Sequence, residues 1–306
     1  MLVLKDLTKR FPRLDHPAVD GLNLTLEKGE IVALAGSSGS GKTTALRLIA
    51  GFDRPDGGTV SMDGAVIADR KGIVPPEQRN IGVVFQDFAL FPHLTVGENV
   101  GFGLRNRPAA FRRRRVEELL ALAGIPDLGE RYPHEISGGQ QQRVALVRAL
   151  APEPAVVLLD EPFSNLDHTC THRLLAETRH IIKGSGSAAI VVTHDRYEAF
   201  TLADRIAVLK EGRLQQLGSA EEIYAYPATR EVAEFSGSAS FVPVWTTEDM
   251  GDQWLSPLGP VPDDVAVVRD ETIGTGSTGP DRYFAVVRPH QLVLHVNGRG
   301  CNDEST

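Results

Sequence analysis

The stretch Gly36-Ser37-Ser38-Gly39-Ser40-Gly41-Lys42-Thr43 constrains this chain more than any other. It follows the apolar run Ile31-Val32-Ala33-Leu34-Ala35 and opens Thr44-Ala45-Leu46-Arg47-Leu48-Ile49-Ala50. The spacing is G-x-x-x-x-G-K-[ST], set between a strand and a helix. Gly36, Gly39 and Gly41 can take backbone angles closed to other residues, so successive N–H groups from Gly36 to Thr44 can curl around phosphate oxygens. The helix that follows points its free N–H groups and positive dipole end at the same anion. Lys42 can reach the β- and γ-phosphates, and the Thr43 hydroxyl can bind Mg²⁺. An accidental lysine in a Gly/Ser-rich surface turn would not bring both flanking elements with it. The chain is expected to bind a nucleoside triphosphate.

The rest of the chain reads as an α/β protein. Leu22-Asn23-Leu24-Thr25-Leu26 alternates with period two, as do the first ten residues more loosely, which predicts strands with one buried face. Asp56-Gly57-Gly58 reads as a turn before the strand Thr59-Val60-Ser61-Met62, with a second turn at Asp63-Gly64. Together these predict a small antiparallel sheet beside the nucleotide core. Short apolar runs at residues 81–86, 155–160, 189–194 and 205–209 have the composition of buried parallel strands. Three of them end in a polar residue: Gln86, Asp160 and His194. In an open α/β sheet the ligand sits at the carboxyl ends of strands, so these residues are expected to face the phosphates held by Lys42. Residues 95–150 turn helical, and two short helices interrupted at Pro227 follow Ser219. Beyond Ser236-Gly237-Ser238 come β-prone runs at 265–269, 283–288 and 291–296, separated by the Gly/Ser/Thr-rich stretch 274–279. They predict a small separate β domain.

Asp160-Glu161-Pro162 closes an apolar strand. A carboxylate there can hold Mg²⁺ opposite Thr43, and the next one can orient and polarise an attacking water. Gln86 can coordinate the metal or the water, and His194 can contact the γ-phosphate. Taken singly, a strand-terminal Gln or His is more often a satisfied polar cap; their joint placement favours a site. Ser137-Gly138-Gly139-Gln140 forms a second Ser/Gly turn at a helix start. A plain N-cap by Ser137 would explain these residues. A second anion-binding turn in a chain with one phosphate loop instead suggests a dimer in which each copy caps the other's nucleotide.

These motifs together resemble the nucleotide-binding subunit of an ABC transporter. Gly36 to Thr43 is similar to its Walker A motif, Gln86 to the Q-loop, and Ile136 to Gln140 to the signature, with Ile136 where Leu is usual. Val156 to Glu161 resembles Walker B with its catalytic glutamate, Ser164-Asn165-Leu166-Asp167 the D-loop, and His194 the switch histidine. Phe11 sits where an aromatic stacks on adenine. The resemblance implies an α/β P-loop NTPase over residues 1–235, a RecA-like core with an antiparallel β subdomain and a helical subdomain. A small β-rich C-terminal domain takes residues 236–306. It further implies ATP and Mg²⁺, a second copy of the subunit, integral-membrane permease subunits and, indirectly, an extracytoplasmic substrate-binding protein. The expected location is peripheral, on the cytoplasmic face of the inner membrane.

The stretch from Gln86 to Val96, which includes Phe88, Leu90, Phe91 and Leu94, resembles importer ATPases of the mineral- and organic-ion groups. Within it, Phe88 to Val96 is expected to form a permease-docking groove, with packing in the core as the alternative reading of its apolar residues. Val287-Arg288-Pro289-His290 resembles a strand motif of their regulatory β domains. Phe163-Ser164-Asn165-Leu166-Asp167, Thr193-His194-Asp195-Arg196 and Phe241-Val242-Pro243 are most similar to ferric-iron importers, with polyamine, sulfate and thiamine importers sharing much of the pattern.

Composition narrows the alternatives. The net charge of −8 gives no general attraction to nucleic acid, and none is expected as a partner. The one basic block, Arg112 to Arg115, reads as the exposed start of an amphipathic helix. Cys170 and Cys301 stand far apart in no metal spacing, as in a reduced cytosolic protein. Leu2-Val3-Leu4 is too short for a signal peptide, and no run approaches the roughly 18 apolar residues of a membrane span. A soluble ATPase acting on DNA or ribosomes would usually add long coiled-coil insertions or a second cassette. A P-loop GTPase would need an N-K-x-D motif, and an exporter cassette would usually be fused to membrane spans.

Overall fold

Period-two alternation builds the first sheet. In the computed structural model, which describes residues 1–164, 168–246, 253–257, 259–262, 265–269 and 283–291, β1 (Leu2–Lys9) pairs antiparallel with β2 (Val19–Leu26). The sheet order is β2-β1-β4-β5, with β4 at Gly57–Met62 and β5 at Ala65–Asp69. Leu2, Leu4, Leu7, Leu24 and Leu26 face inward in one cluster with Leu46, Leu48 and Ile49 of the helix α1 (Lys42–Ala50). The expected turn at Gly57-Gly58 lies inside β4. Gly58 has φ +73 and Asp6 opposite has φ +49, and a Cβ on Gly58 would lie 2.3 Å from the Asp6 carbonyl oxygen. The pair forms a bulge where the β1–β4 register shifts.

The second sheet runs β10-β9-β3-β8-β7-β6. β3 (Ile31–Ala35), β6 (Ile81–Val84), β7 (Val156–Asp160), β8 (Ala188–Thr193) and β9 (Arg205–Lys210) are parallel. β3 and β8 are buried along their whole length, which is why their sequences are apolar without alternation. The antiparallel edge strand β10 (Arg213–Gly218), unread in the sequence, joins β9 through Glu211-Gly212, both at positive φ, a two-residue hairpin turn.

Between β6 and β7 lie α2 (Val96–Val100), α3 (Ala109–Leu122) and α4 (Gly138–Leu150). Val100, Leu119, Leu120, Val144 and Val147 share one core. α3 begins at Ala109, so Arg112 to Arg115 lie within the helix, and they are not uniformly exposed. Arg115 is half-buried, 3.7 Å from both Glu118 and Glu153. α5 (His168–Ser185) and α6 (Arg196–Leu202) flank β8 in sequence, and α7 (Ala220–Ala225) and α8 (Arg230–Ser236) follow β10.

The chain divides into two compact units, Met1–Ile223 and Tyr224–Thr306, whereas the sequence reading sets its boundary at residue 235. α8 falls in the second unit because Ala233 packs with Val268 and Val286. The buried Arg288 also donates to the carbonyls of Tyr224 (2.9 Å) and Ala233 (3.0 Å) and to Ser236 Oγ (2.8 Å). Its sheet is β11-β15-β14, with β11 at Ser240–Val244, β14 at Val267–Arg269 and β15 at Tyr283–Val287. The ribbon of β12 (Leu255–Ser256) and β13 (Gly259–Pro260) lies beside it in sequence. The stretch 274–279 and residues 292–296 of the last β-prone run lie outside the described residues.

Candidate active site

Two of the three loop glycines are demanded by space as well as by angle. A Cβ on Gly36 would meet the Leu209 carbonyl oxygen at 2.2 Å, and one on Gly41 would meet that of Ala18 at 2.2 Å. Gly39 faces open space, but its φ of +82 favours glycine. The exposed Ser37 and Ser38 and the buried Ser40 lie between them. Lys42 is 5% exposed and folds back over the loop it closes. Its Nζ donates to the carbonyls of Gly36 (2.9 Å) and Ser37 (2.7 Å) and to Ser40 Oγ (3.3 Å). Burial pulls its ammonium below the usual lysine range, against the opposing pull of Glu161 and Asp160. A cation held this way, among carbonyls and short of full solvation, is poised for an anion.

β3, β8 and β7 are neighbours, so their carboxyl ends meet. Thr43 Oγ1 donates to Asp160 Oδ1 at 3.3 Å, while Thr44 follows in the first turn of α1. Burial raises the Asp160 carboxyl, the Thr43 hydrogen bond opposes it, and Glu161 adds to the rise. Glu161 has φ +43, a left-handed angle costly for a non-glycine residue. Its N–H donates to Val192 O (3.0 Å), and its carbonyl accepts from Ser164 Oγ (3.0 Å). His194 Nδ1 lies 3.4 Å from Glu161 Oε2. Asn165, Leu166 and Asp167 lie outside the described residues.

Gln86 stands two residues beyond β6 and is exposed. The segment after it is held open by two polar side chains. Phe88 and Ala89 both have positive φ, and Arg148 of α4 donates to their carbonyls at 2.8 and 2.6 Å. Asn99, fully buried, accepts from Phe91 N–H and donates to the carbonyls of Phe91, Leu94 and Thr95. Of the two readings of Phe88, docking surface or core packing, the structure takes the second: the residue is 6% exposed, and its left-handed turn puts the ring into the helical core. Phe91 stays half-buried against Phe102, ring centroids 4.4 Å apart.

The structure does not join the second Ser/Gly turn to the phosphate loop by any described contact. Gly138, Gly139 and Gln140 are the first turn of α4 rather than a loop before it. Ser137 Oγ accepts from Gln140 N–H, and Gln140 Oε1 accepts from Ser137 N–H, a reciprocal cap. Gly139 packs under Leu174 of α5, with room for a Cβ only at 3.1 Å. Phe11 is exposed in the β1–β2 loop, 5.5 Å from Lys9 Nζ, and the far end of that loop, Ala18, abuts Gly41.

A family model described as "ABC transporter" matches residues 19–164. The chain is 44% identical over 287 residues to the Fe(3+) ions import ATP-binding protein FbpC of Pseudomonas fluorescens, covering 93% of this chain and 77% of that protein. The chain belongs to the ABC transporter ATP-binding family. It is an ATP-hydrolysing importer subunit with a P-loop NTPase fold. It is also 41% identical over 296 residues to the spermidine/putrescine import ATP-binding protein PotA of Oleidesulfovibrio alaskensis, covering 96% of this chain and 76% of that one. A solved ATP-binding cassette, in a dimeric post-hydrolysis state bound to ADP and Pi, superposes with TM-score 0.61 at 34% identity. That match covers 72% of this chain and 98% of the cassette. Among the described residues no helix is long and apolar enough to cross a membrane.

Sequence reasoning missed Glu198, Arg148 and Asn99. Glu198 is buried at 8% and accepts from Thr193 Oγ1 at 2.5 Å, fixing the residue before His194. Burial raises its carboxyl, the Thr193 bond opposes, and Asp195 adds to the rise. Asp195-x-x-Glu198 at a helix start reads as an exposed cap, whereas Glu198 bonds Thr193, so the sequence carries no signal for its burial. For Arg148 the signal is a lone charge inside the apolar run Val144 to Leu150.

Proposed function

We propose that this ABC ATPase hydrolyses Mg²⁺-ATP as a homodimer on the cytoplasmic face of the inner membrane, bound to permease subunits and importing ferric iron. The observation that carries the catalytic reading is the meeting of Lys42, Asp160, Glu161 and His194 at the adjacent carboxyl ends of β3, β7 and β8. Lys42 would exchange its carbonyl partners for β/γ-phosphate oxygens, with the backbone from Gly36 to Thr44 supplying N–H donors. Glu161 would accept the proton of the attacking water, and His194, 3.4 Å away, would hold Glu161 and contact the γ-phosphate.

The donor set fits Mg²⁺. Thr43 and Asp160 offer hard oxygens already within hydrogen-bond reach of each other, and a half-buried carboxylate gains from a cation. Mg²⁺ needs only one or two such ligands beside phosphate and water, with Gln86 as a further oxygen. When bound, the ion neutralises charge on the phosphates.

Ser137 and Gly138 are exposed at the start of α4, free of described contacts to their own phosphate loop. That arrangement suits donation to a nucleotide on a second copy, as does the likeness to a dimeric cassette. Phe11 would stack on adenine. A groove of about 910 Å³ lined by Leu94, Phe102, Arg105, Arg113 and Val116 is the proposed permease seat. The binding protein would deliver cargo to the permease and not to this chain. The relative named for ferric iron supports iron, and relatives named for spermidine/putrescine and for sulfate/thiosulfate match at similar identity, so polyamine and sulfate are the alternatives.

Glu161→Gln tests the catalytic and dimer readings together. It should still bind ATP, turn over roughly 10²–10⁴-fold more slowly, and elute as a dimer with ATP and Mg²⁺. A monomer at saturating nucleotide would reject the shared site. Loss of iron-55 uptake in cells carrying Glu161→Gln supports iron. Normal ferric uptake with lost spermidine uptake would replace iron by polyamine.

A further inference from the structure

α6 begins two residues after His194, and α5 begins shortly after Ser164, whose hydroxyl holds the Glu161 carbonyl. The two helices pack, and between them His172 of α5 meets Tyr197 of α6. The rings are 4.2 Å apart, edge to face, and Tyr197 Oη shares a hydrogen bond with His172 Nδ1. Both side chains are exposed, so the pair contributes little to the core.

Tyr197 is tied directly to the switch. Its N–H donates to Asp195 Oδ1 at 2.6 Å, and Asp195 N–H donates to Thr193 Oγ1 at 2.9 Å. His194 lies between those two residues and points Nδ1 at Glu161. A path therefore runs from Glu161 to His194 and, through Asp195 and Tyr197, to His172 on α5. α6 is only seven residues long, and its buried Glu198 fixes it at one edge. The His172–Tyr197 contact fixes the other edge against the helix that follows the glutamate.

We propose that His172 and Tyr197 form a clasp that positions His194 against Glu161 for hydrolysis. The clasp touches neither nucleotide nor the reacting atoms, so both are positioning residues. The proposal rests on the assignment of Glu161 and His194 to the chemical step. It makes the catalytic pair dependent on a contact between two helices rather than on strand ends alone.

The test is steady-state ATP hydrolysis by the purified full chain for Tyr197→Phe, His172→Ala, the double variant and His172→Asn, with Glu161→Gln as control. Tyr197→Phe and His172→Ala should each lower kcat by roughly two- to thirtyfold, the range of couplings carried by contact networks. KM for ATP should stay within about twofold, since the phosphate loop is untouched. The double variant should lose no more than either single one, and His172→Asn, which keeps a polar atom near Nδ1, should recover most of kcat. Wild-type kcat in both single variants while Glu161→Gln is inactive would overturn the clasp and leave the site reading standing. Additive losses, or a lowered melting temperature with unchanged kcat per folded molecule, would also overturn it. Full turnover by Glu161→Gln would remove both.

Discussion

Arg79 offers the sharpest test of how the phosphate-binding helix is held. The residue is 2% exposed, and its guanidinium donates to the carbonyls of Leu48 (2.9 Å), Ile49 (2.7 Å), Val74 (2.7 Å) and Ile67 (3.3 Å). Leu48 and Ile49 belong to the last turn of α1, where carbonyls have no partner inside the helix. No carboxylate pairs with Arg79 in the described contacts; it faces carbonyls and the negative end of a helix dipole. Burial pulls its pKa down, yet an arginine stays charged. Arg79→Met keeps most of the volume and removes every donor. Each stranded carbonyl costs about 1 kcal/mol or more, so four give about 4 kcal/mol before any water enters. Whole-domain stabilities are about 5–15 kcal/mol, so the loss is a large share. With a urea slope of about 2–3 kcal/mol/M for a unit of this size, the midpoint should fall by about 1.3–2 M. Urea unfolding followed by circular dichroism measures it. An unchanged slope with a shift under about 0.3 M would refute the idea that these four bonds, two of them to the end of α1, stabilise the fold.

Lys42→Ala should cut phosphate release by about 100-fold or more, the scale of losing one preorganised donor to developing charge; turnover near wild type would remove Lys42 from the site. Gly41→Ala should weaken nucleotide binding far more than Gly39→Ala, because both carry positive φ but only the first drives a Cβ into Ala18 O at 2.2 Å. Equal effects in a fluorescent-nucleotide titration would mean the backbone angle alone matters. Glu198 predicts a pH slope. Its carboxyl is raised in the folded state by burial, so the folded chain binds the proton more tightly than the unfolded one. Stability should therefore fall as pH rises from the ordinary glutamate value through the raised one, and Glu198→Gln should flatten that fall in melting scans. An equal slope in the variant would place the dependence elsewhere.

The phosphate loop was legible because its demands are local: glycines at fixed offsets, a lysine, and flanking elements of opposite type. The strand ends at Asp160 and His194 were legible for a related reason, since a buried apolar run can finish only where polar side chains meet solvent or ligand. What failed depended on pairing between distant segments. Gly57-Gly58 advertises an unusual backbone angle, but only β1 opposite turns that angle into a bulge. Whether Phe88 was surface or core stayed open in the sequence, and only a pair of left-handed residues braced by Arg148, far along the chain, sends its ring inward. Glu198 and Asn99 were hidden because a polar residue that satisfies buried groups looks, in one dimension, like any solvent-facing residue.

The strand order also governs when the nucleotide site can exist during synthesis. Ala35, which leads into the phosphate loop, lies beside Thr193 and Val208 in the finished sheet. Its partners leave the ribosome only after some 160 further residues, which at ~5–20 residues per second is a wait of roughly 10–30 s. The antiparallel sheet can close long before then, since β1, β2, β4 and β5 all lie within the first stretch of chain. A nascent subunit therefore carries its phosphate-loop sequence while some 160 further residues are made, with no sheet to hold the loop in shape. Premature termination before β8 would leave the apolar β3 without either neighbour and exposed to aggregation.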